Sequence, residues 1–242
     1  VVAPNSRYTI AAHAPDQVGL DQAFSTKIGS DQKIIVERAM YWPNGPGTSG
    51  GHVTTGLQQP AATWYLAEGF TGSGFQTYIL IQNPNDVEAT IDVTYMLQGG
   101  GTIEKSLAVL PNSRFTIVTH DPDQVGLDQA FSTKLVSNQP IIVERAMYFN
   151  NDGHNTVGVE APANSWYLAE GYTGSGFGTY ILIQNPNSTE TNVDVRYMLQ
   201  GGGTIDKSVT VSPNSRYTIV THDADQVGID QAFSTKLDAD QP

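Results

Sequence analysis

The side chains best suited to chemistry are carboxylates and guanidiniums that recur in step. Glu37-Arg38 stands in the run Ile34–Trp42, and Glu144-Arg145 stands in its near copy, Ile141–Phe149. Glu68 and Glu170 belong to two copies of Trp-Tyr-Leu-Ala-Glu-Gly, and Arg114 and Arg216 end two copies of Pro-Asn-Ser-Arg. A carboxylate beside a guanidinium suits acid–base catalysis or ligand binding where a cleft shifts its pKa. Every copy of the repeat would then be an enzyme. The favoured reading is structural: Glu37, Arg38, Glu144, Arg145, Arg114 and Arg216 form ion pairs that link strands or seal a junction between repeats.

Two loops, His120–Asp128 and His222–Asp230, gather acidic oxygens. Asp121, Asp123, Asp128, Asp223, Asp225 and Asp230 are the ligand type that calcium prefers. Their spacing is not that of an EF-hand, and the earliest copy has Ala14 where the others have Asp121 and Asp223. A solvated acidic loop is therefore favoured over calcium, and no other cofactor is expected. The histidines lack His partners at metal-binding spacing. There is no phosphate-binding Gly-x-x-x-x-Gly-Lys, no dinucleotide fingerprint and no nucleophile elbow. Cysteine is absent, which removes disulfides and thiol catalysis. The expectation is a protein that is not an enzyme.

The aromatic residues Trp42, Trp64, Trp166, Tyr65 and Tyr167 pose a similar choice. Exposed rings stack on sugars. Buried ones fill a core or a contact between repeats, where their area is largest. Because they flank the loop read as the junction between units, packing is the favoured role.

Repetition sets the elements that position these residues. Trp64–Gly69 recurs at Trp166–Gly171, and Pro111–Arg114 at Pro213–Arg216, both 102 residues on. An earlier Pro4-Asn-Ser-Arg7 lies 107 residues before Pro111, the difference falling in the Gly-rich stretch Pro43–Gly51, which reads as a loop that tolerates insertion. A period of this length is a small domain rather than a solenoid repeat. The units are read as 34–140 and 141–242, with 1–33 the C-terminal part of a preceding unit, too short to bury a core alone.

Within a unit the strand signal dominates. Ile91, Val93, Tyr95 and Leu97 alternate with Asp92, Thr94 and Met96; Phe75, Thr77, Ile79 and Ile81 form one face of another strand. Ile141–Phe149 is rich in β-branched and aromatic residues, as a central strand should be. Asn83-Pro-Asn85 and Gln98-Gly-Gly-Gly101 mark turns. Only Pro122–Gln129 offers a turn or two of helix. The pattern predicts an all-β chain of tandem immunoglobulin-like antiparallel β-sandwich domains, about 100 residues each, with seven or eight strands apiece.

The words Trp-Tyr-Leu-Ala-Glu-Gly, Thr-Tyr-Ile-Leu-Ile-Gln-Asn-Pro-Asn, Pro-Asn-Ser-Arg, Phe-Ser-Thr-Lys and Ile-Val-Glu-Arg-Ala-Met-Tyr resemble an uncharacterised family of tandem immunoglobulin-like repeats in large bacterial secreted or cell-surface proteins. The resemblance implies an extracellular array and no particular chemistry. A net charge of −12 argues against nucleic acid and anionic membranes, and no apolar run is long enough to span a bilayer. The expected function is a structural segment of an extracellular filament, stalk or surface fibre whose partners are neighbouring copies of the same repeat. The alternative is an adhesin or carbohydrate-binding module that takes surface glycans.

Overall fold

The structure is a computed structural model and describes residues 1–43 and 49–242. Most of the Gly-rich loop read from the sequence, residues 44–48, lies outside them. The described residues contain strands and turns and no helix; Pro122–Gln129 forms turns. The chain is all-β with antiparallel sheets.

Residues 1–33 carry no strand. A hairpin follows, β1 (Glu37–Pro43) and β2 (Ser49–Thr55). The first repeat holds β3 (Ala61–Leu66), β4 (Gln76–Asn83), β5 (Ala89–Leu97), β6 (Thr102–Val109), β7 (Ser113–Val118), the long β8 (Phe131–Phe149) and β9 (Asp152–Val157). The second holds β10 (Ser165–Tyr172), β11 (Tyr180–Asn185), β12 (Thr191–Leu199), β13 (Thr204–Val211), β14 (Ser215–Val220) and β15 (Ala232–Ala239).

β8 organises the first repeat because it serves two sheets. Its first half pairs with β5 and β3, with β6 beyond β5. Its second half pairs with β4 and β9, with β7 beyond β4. The two layers close over one core containing Trp64, Ile79, Ile91, Val93, Tyr95, Ile117, Phe131 and Leu135. Pro140 sits where β8 passes between partners: pairing with β5 ends at Ser137, and pairing with β4 starts at Ile142. A residue without an N–H is tolerated there because no ladder bond is asked of it. Residues 140 and 141, where the sequence reading divides two units, are thus consecutive within one strand, and 141–157 complete the sheet around β4.

The second repeat has one sheet in the order β10-β15-β12-β13 and a separate pair, β11-β14. Its core contains Ile181, Val193, Val195, Tyr197, Ile219 and Phe233.

The Asn-Pro-Asn turn is a lock. Asn83 is fully buried, and its Nδ2 donates to the carbonyls of Val87, Val109 and Leu110 at 2.8–3.1 Å. Its Oδ1 accepts from the Asn85 N–H at 3.0 Å, and the Asn85 amide donates to the Pro140 carbonyl at 2.8 Å. Asn185 and Asn187 repeat the pattern, ending on the Pro242 carbonyl. Replacing Asn83 by alanine strands buried carbonyls, so urea unfolding should show a loss of about 2 kcal/mol or more.

Candidate functional site: the ion-pair cluster between repeats

The recurring charges meet where strands and repeats join. Ile141–Phe149 is buried on both faces at its centre, which draws Arg145 inside: the residue is 5% exposed. Its Nη2 lies 3.0 Å from Glu68 Oε2, and its Nη1 donates to the Glu68 carbonyl at 3.0 Å. Nη2 also reaches His154 Nδ1 at 3.3 Å. A guanidinium only donates, so Nδ1 accepts and the imidazole is neutral with its proton on Nε2. Arg216, from β14 of the second repeat, is also buried and feels both Glu68 and Arg145. Burial pulls its pKa down to about 10, with the attraction of Glu68 opposing. Burial likewise lowers Arg145, and Glu68 opposes that too.

Two further contacts tie the repeats. Gln98 bridges to Arg216 and accepts from Thr218 Oγ1 at 2.9 Å. Gln184 Nε2 donates to the sulfur of Met96 at 3.6 Å. Met96 lies on the polar side of the β5 alternation yet is buried, because the second repeat covers that side.

The N-terminal hairpin stacks on the β8–β9 hairpin. Arg38 Nη2 is 2.9 Å from Glu144 Oε2; Trp42 meets Tyr148 edge-on at 5.2 Å, and His52 lies beside both rings. Glu37 is exposed, and neither it nor Arg114 forms an ion pair among the described residues; Arg114 reaches Thr116 instead. Of the aromatics, Trp64 is fully buried and donates its indole N–H to the Ile141 carbonyl at 2.9 Å. Trp166 and Tyr167 are exposed, and Tyr65 and Tyr167 each lie under a lysine, Lys134 and Lys236.

The acidic loops are built by their own turns. Gln124 N–H donates to Asp121, Val125 and Gly126 donate to Thr119, and the Tyr95 hydroxyl donates to Gln124 Oε1 at 2.9 Å. Tyr197 and Gln226 repeat the last bond; burial carries the Tyr197 hydroxyl up to about 12. Asp121, Asp123, Asp128, Asp223, Asp225 and Asp230 are exposed, and among the described residues no three His, Cys, Asp or Glu side chains come together as a metal cage. Equal melting midpoints with calcium and with chelator are the expected result for a solvated loop.

Ser73, His120 and Asp128 share a surface depression with Phe75, but no hydrogen bond joins the three among the described residues. The buried Arg145 cluster offers a different property, pH sensitivity. Burial lowers the pKa of His154, helped by Arg145 and opposed by Glu68 and Asp152; burial and Arg38 lower His52. Below the ordinary imidazole value the unfolded chain takes up protons that the fold resists. The contribution of these histidines is therefore complete above about pH 6.5 and is lost as pH falls below it. Denaturation midpoints should decline on acidification, and less so in the variant His52→Gln/His154→Gln.

The sequence signals missed His154, Tyr148, Met96 and Gln98. Their roles depend on which strand lies opposite, and only the equal spacing of His52 and His154 from their Trp-Tyr-Leu-Ala-Glu-Gly words hinted at one.

No protein-family profile and no curated protein matches the chain. Solved structures do. A Thermotoga maritima protein, described as 1070, is similar at 16% identity and a TM-score of 0.39, over 42% of this chain and 96% of its own. The Anabaena sensory rhodopsin transducer is similar at 22% identity and a TM-score of 0.33, over 37% of this chain and 91% of its own.

Proposed function

We propose that the chain is a structural segment of an extracellular bacterial filament, stalk or surface fibre, built from tandem immunoglobulin-like β-sandwich modules that join end to end. The observation that carries the reading is the placement of the recurring charges. Glu68, Arg145 and Arg216 are spent on one another across a contact between two repeats, each with its own apolar core. Burial of this kind favours a fixed relation between neighbouring repeats. The −12 charge keeps such an array soluble.

Electron microscopy with light scattering tests the reading. Linear particles whose mass grows with protein concentration are expected. A single compact species at all concentrations, or turnover in a hydrolase screen, counts against it.

A further inference from the structure

Two loops of the first repeat enclose a surface depression that neither the core nor the ion pairs use. One loop leads into β4 and brings Ser73 and Phe75, with Gln76 at the start of the strand. The other leads from β7 to β8 and brings His120, Leu127 and Asp128. The loops are laced together. The Asp128 N–H donates to the Thr71 carbonyl at 3.3 Å, the Thr71 N–H to the Gln129 carbonyl at 3.0 Å, and the Gln129 N–H to the Thr71 hydroxyl at 3.1 Å. Ser73, Gly74 and Asp128 hold positive φ angles of 53°, 82° and 57°. A Cβ built on Gly72 would stand 3.3 Å from Asp128 Oδ1, so the carboxylate lies against the loop that carries Ser73. The depression is set before anything enters it, which spares a ligand the entropy of ordering it.

Its polar groups are unengaged. Neither the Ser73 hydroxyl nor the Asp128 carboxylate has a hydrogen bond or an ion pair among the described residues. Gln76 accepts from the Tyr78 hydroxyl at 3.1 Å through Oε1, and its Nε2 hydrogens stay unused. His120 Nδ1 is enclosed, so only Nε2 is left to a ligand. Phe75 and Leu127 supply apolar surface. Phe75 rests against Phe149 with centroids 4.6 Å apart, and Leu127 is 66% exposed. No lysine or arginine is among the lining residues. The second repeat keeps the same turns, with φ of 52°, 83° and 58° at Ser175, Gly176 and Asp230, and Ile229 is 69% exposed. This surface is therefore open both in a repeat that another follows and in one that another precedes.

We infer that the depression is a binding site for a neutral saccharide. A sugar ring carries an apolar C–H face and hydroxyls that both donate and accept. Phe75 and Leu127 meet the first, the Asp128 carboxylate accepts from hydroxyls, and Ser73 and Gln76 donate to ring or hydroxyl oxygens. An anionic ligand finds no cation here and is repelled by Asp128 and by the net charge of −12. An ammonium ligand would leave the Gln76 donors unanswered. The volume, about 280 Å³, stands near the ~300 Å³ at which small-ligand sites begin and suits one or two rings. The site does not depend on the end-to-end reading above. Where repeats are arrayed, one site per repeat raises the avidity for a polysaccharide.

The full chain is titrated by calorimetry with cellotetraose, chitotetraose and mannotetraose, and with tetragalacturonate and choline as controls. Nuclear magnetic resonance follows the Gln76 side-chain amide and the Leu127 methyls. At least one neutral tetrasaccharide should bind with a Kd of about 1 mM or tighter and move those signals. Asp128→Asn/Asp230→Asn keeps residues that tolerate positive φ and should weaken binding about tenfold or more. Ser73→Gly/Ser175→Gly, equally compatible with that backbone, should weaken it severalfold. Melting midpoints close to that of the unaltered chain show that both variants fold. No binding by the three neutral sugars at about 10 mM, an affinity untouched by both variants, or signal changes confined to other residues overturns the site. A preference for tetragalacturonate or choline overturns a neutral saccharide as its ligand.

Discussion

Replacing Trp64 by alanine should lower the unfolding free energy by about 4 kcal/mol, the upper part of the range for a large aromatic core residue. The same change at Trp166, in dilute solution, should cost less than about 1 kcal/mol, as surface substitutions do. The two residues occupy equivalent places in identical words. Trp64 lies beneath the crossover of β8, fully enclosed, with its N–H on the carbonyls of Ala61 and Ile141. Trp166 keeps only the counterpart of the first bond, to Ala163. Urea unfolding followed by circular dichroism measures both. Equal costs in dilute solution would mean that the crossover strand is not what encloses Trp64.

Removal of the Glu68 carboxylate is the second large effect. Arg145 then keeps a buried charge with only a carbonyl and a neutral imidazole to answer it, and Arg216 stays close by. Breaking a buried pair from one side typically costs 3–5 kcal/mol. Because the Glu68 side chain is 25% exposed, water moderates the loss, and Glu68→Ala should cost about 3 kcal/mol. Adding Arg145→Met removes the stranded charge, so the double variant should be more stable than Glu68→Ala alone. A double variant less stable than the single one would show that Arg145 acts mainly through packing.

Local features were plain in the sequence. Period-two alternation in Ala89–Leu97 and the punctuation by Asn83-Pro-Asn85 both correspond to strands and turns in the fold. The acidic loop is local enough to form its turn even in residues 1–33. There Val18 and Gly19 bond to Ala12, as Val125 and Gly126 bond to Thr119, though no sheet surrounds them. Long-range pairing was not legible. Pro140 reads as a break, yet it lies within β8 because two different partners take over on either side. Burial of Met96 depends on a surface more than eighty residues away in sequence. Phe115 alternates with Arg114 and Thr116 as a core residue would, but β7 leaves it exposed while Ile117 is buried.

The double service of β8 sets an order of events during synthesis. The sheet around β4 needs residues 141–157, which are translated after the rest of the first repeat. A nascent chain therefore holds β4 half paired, and Trp64 uncovered, until that hairpin has left the ribosome. Domains usually fold as units while the chain emerges. Here the first repeat lags by the length of its closing hairpin, and an uncovered strand edge is the species a chaperone must guard.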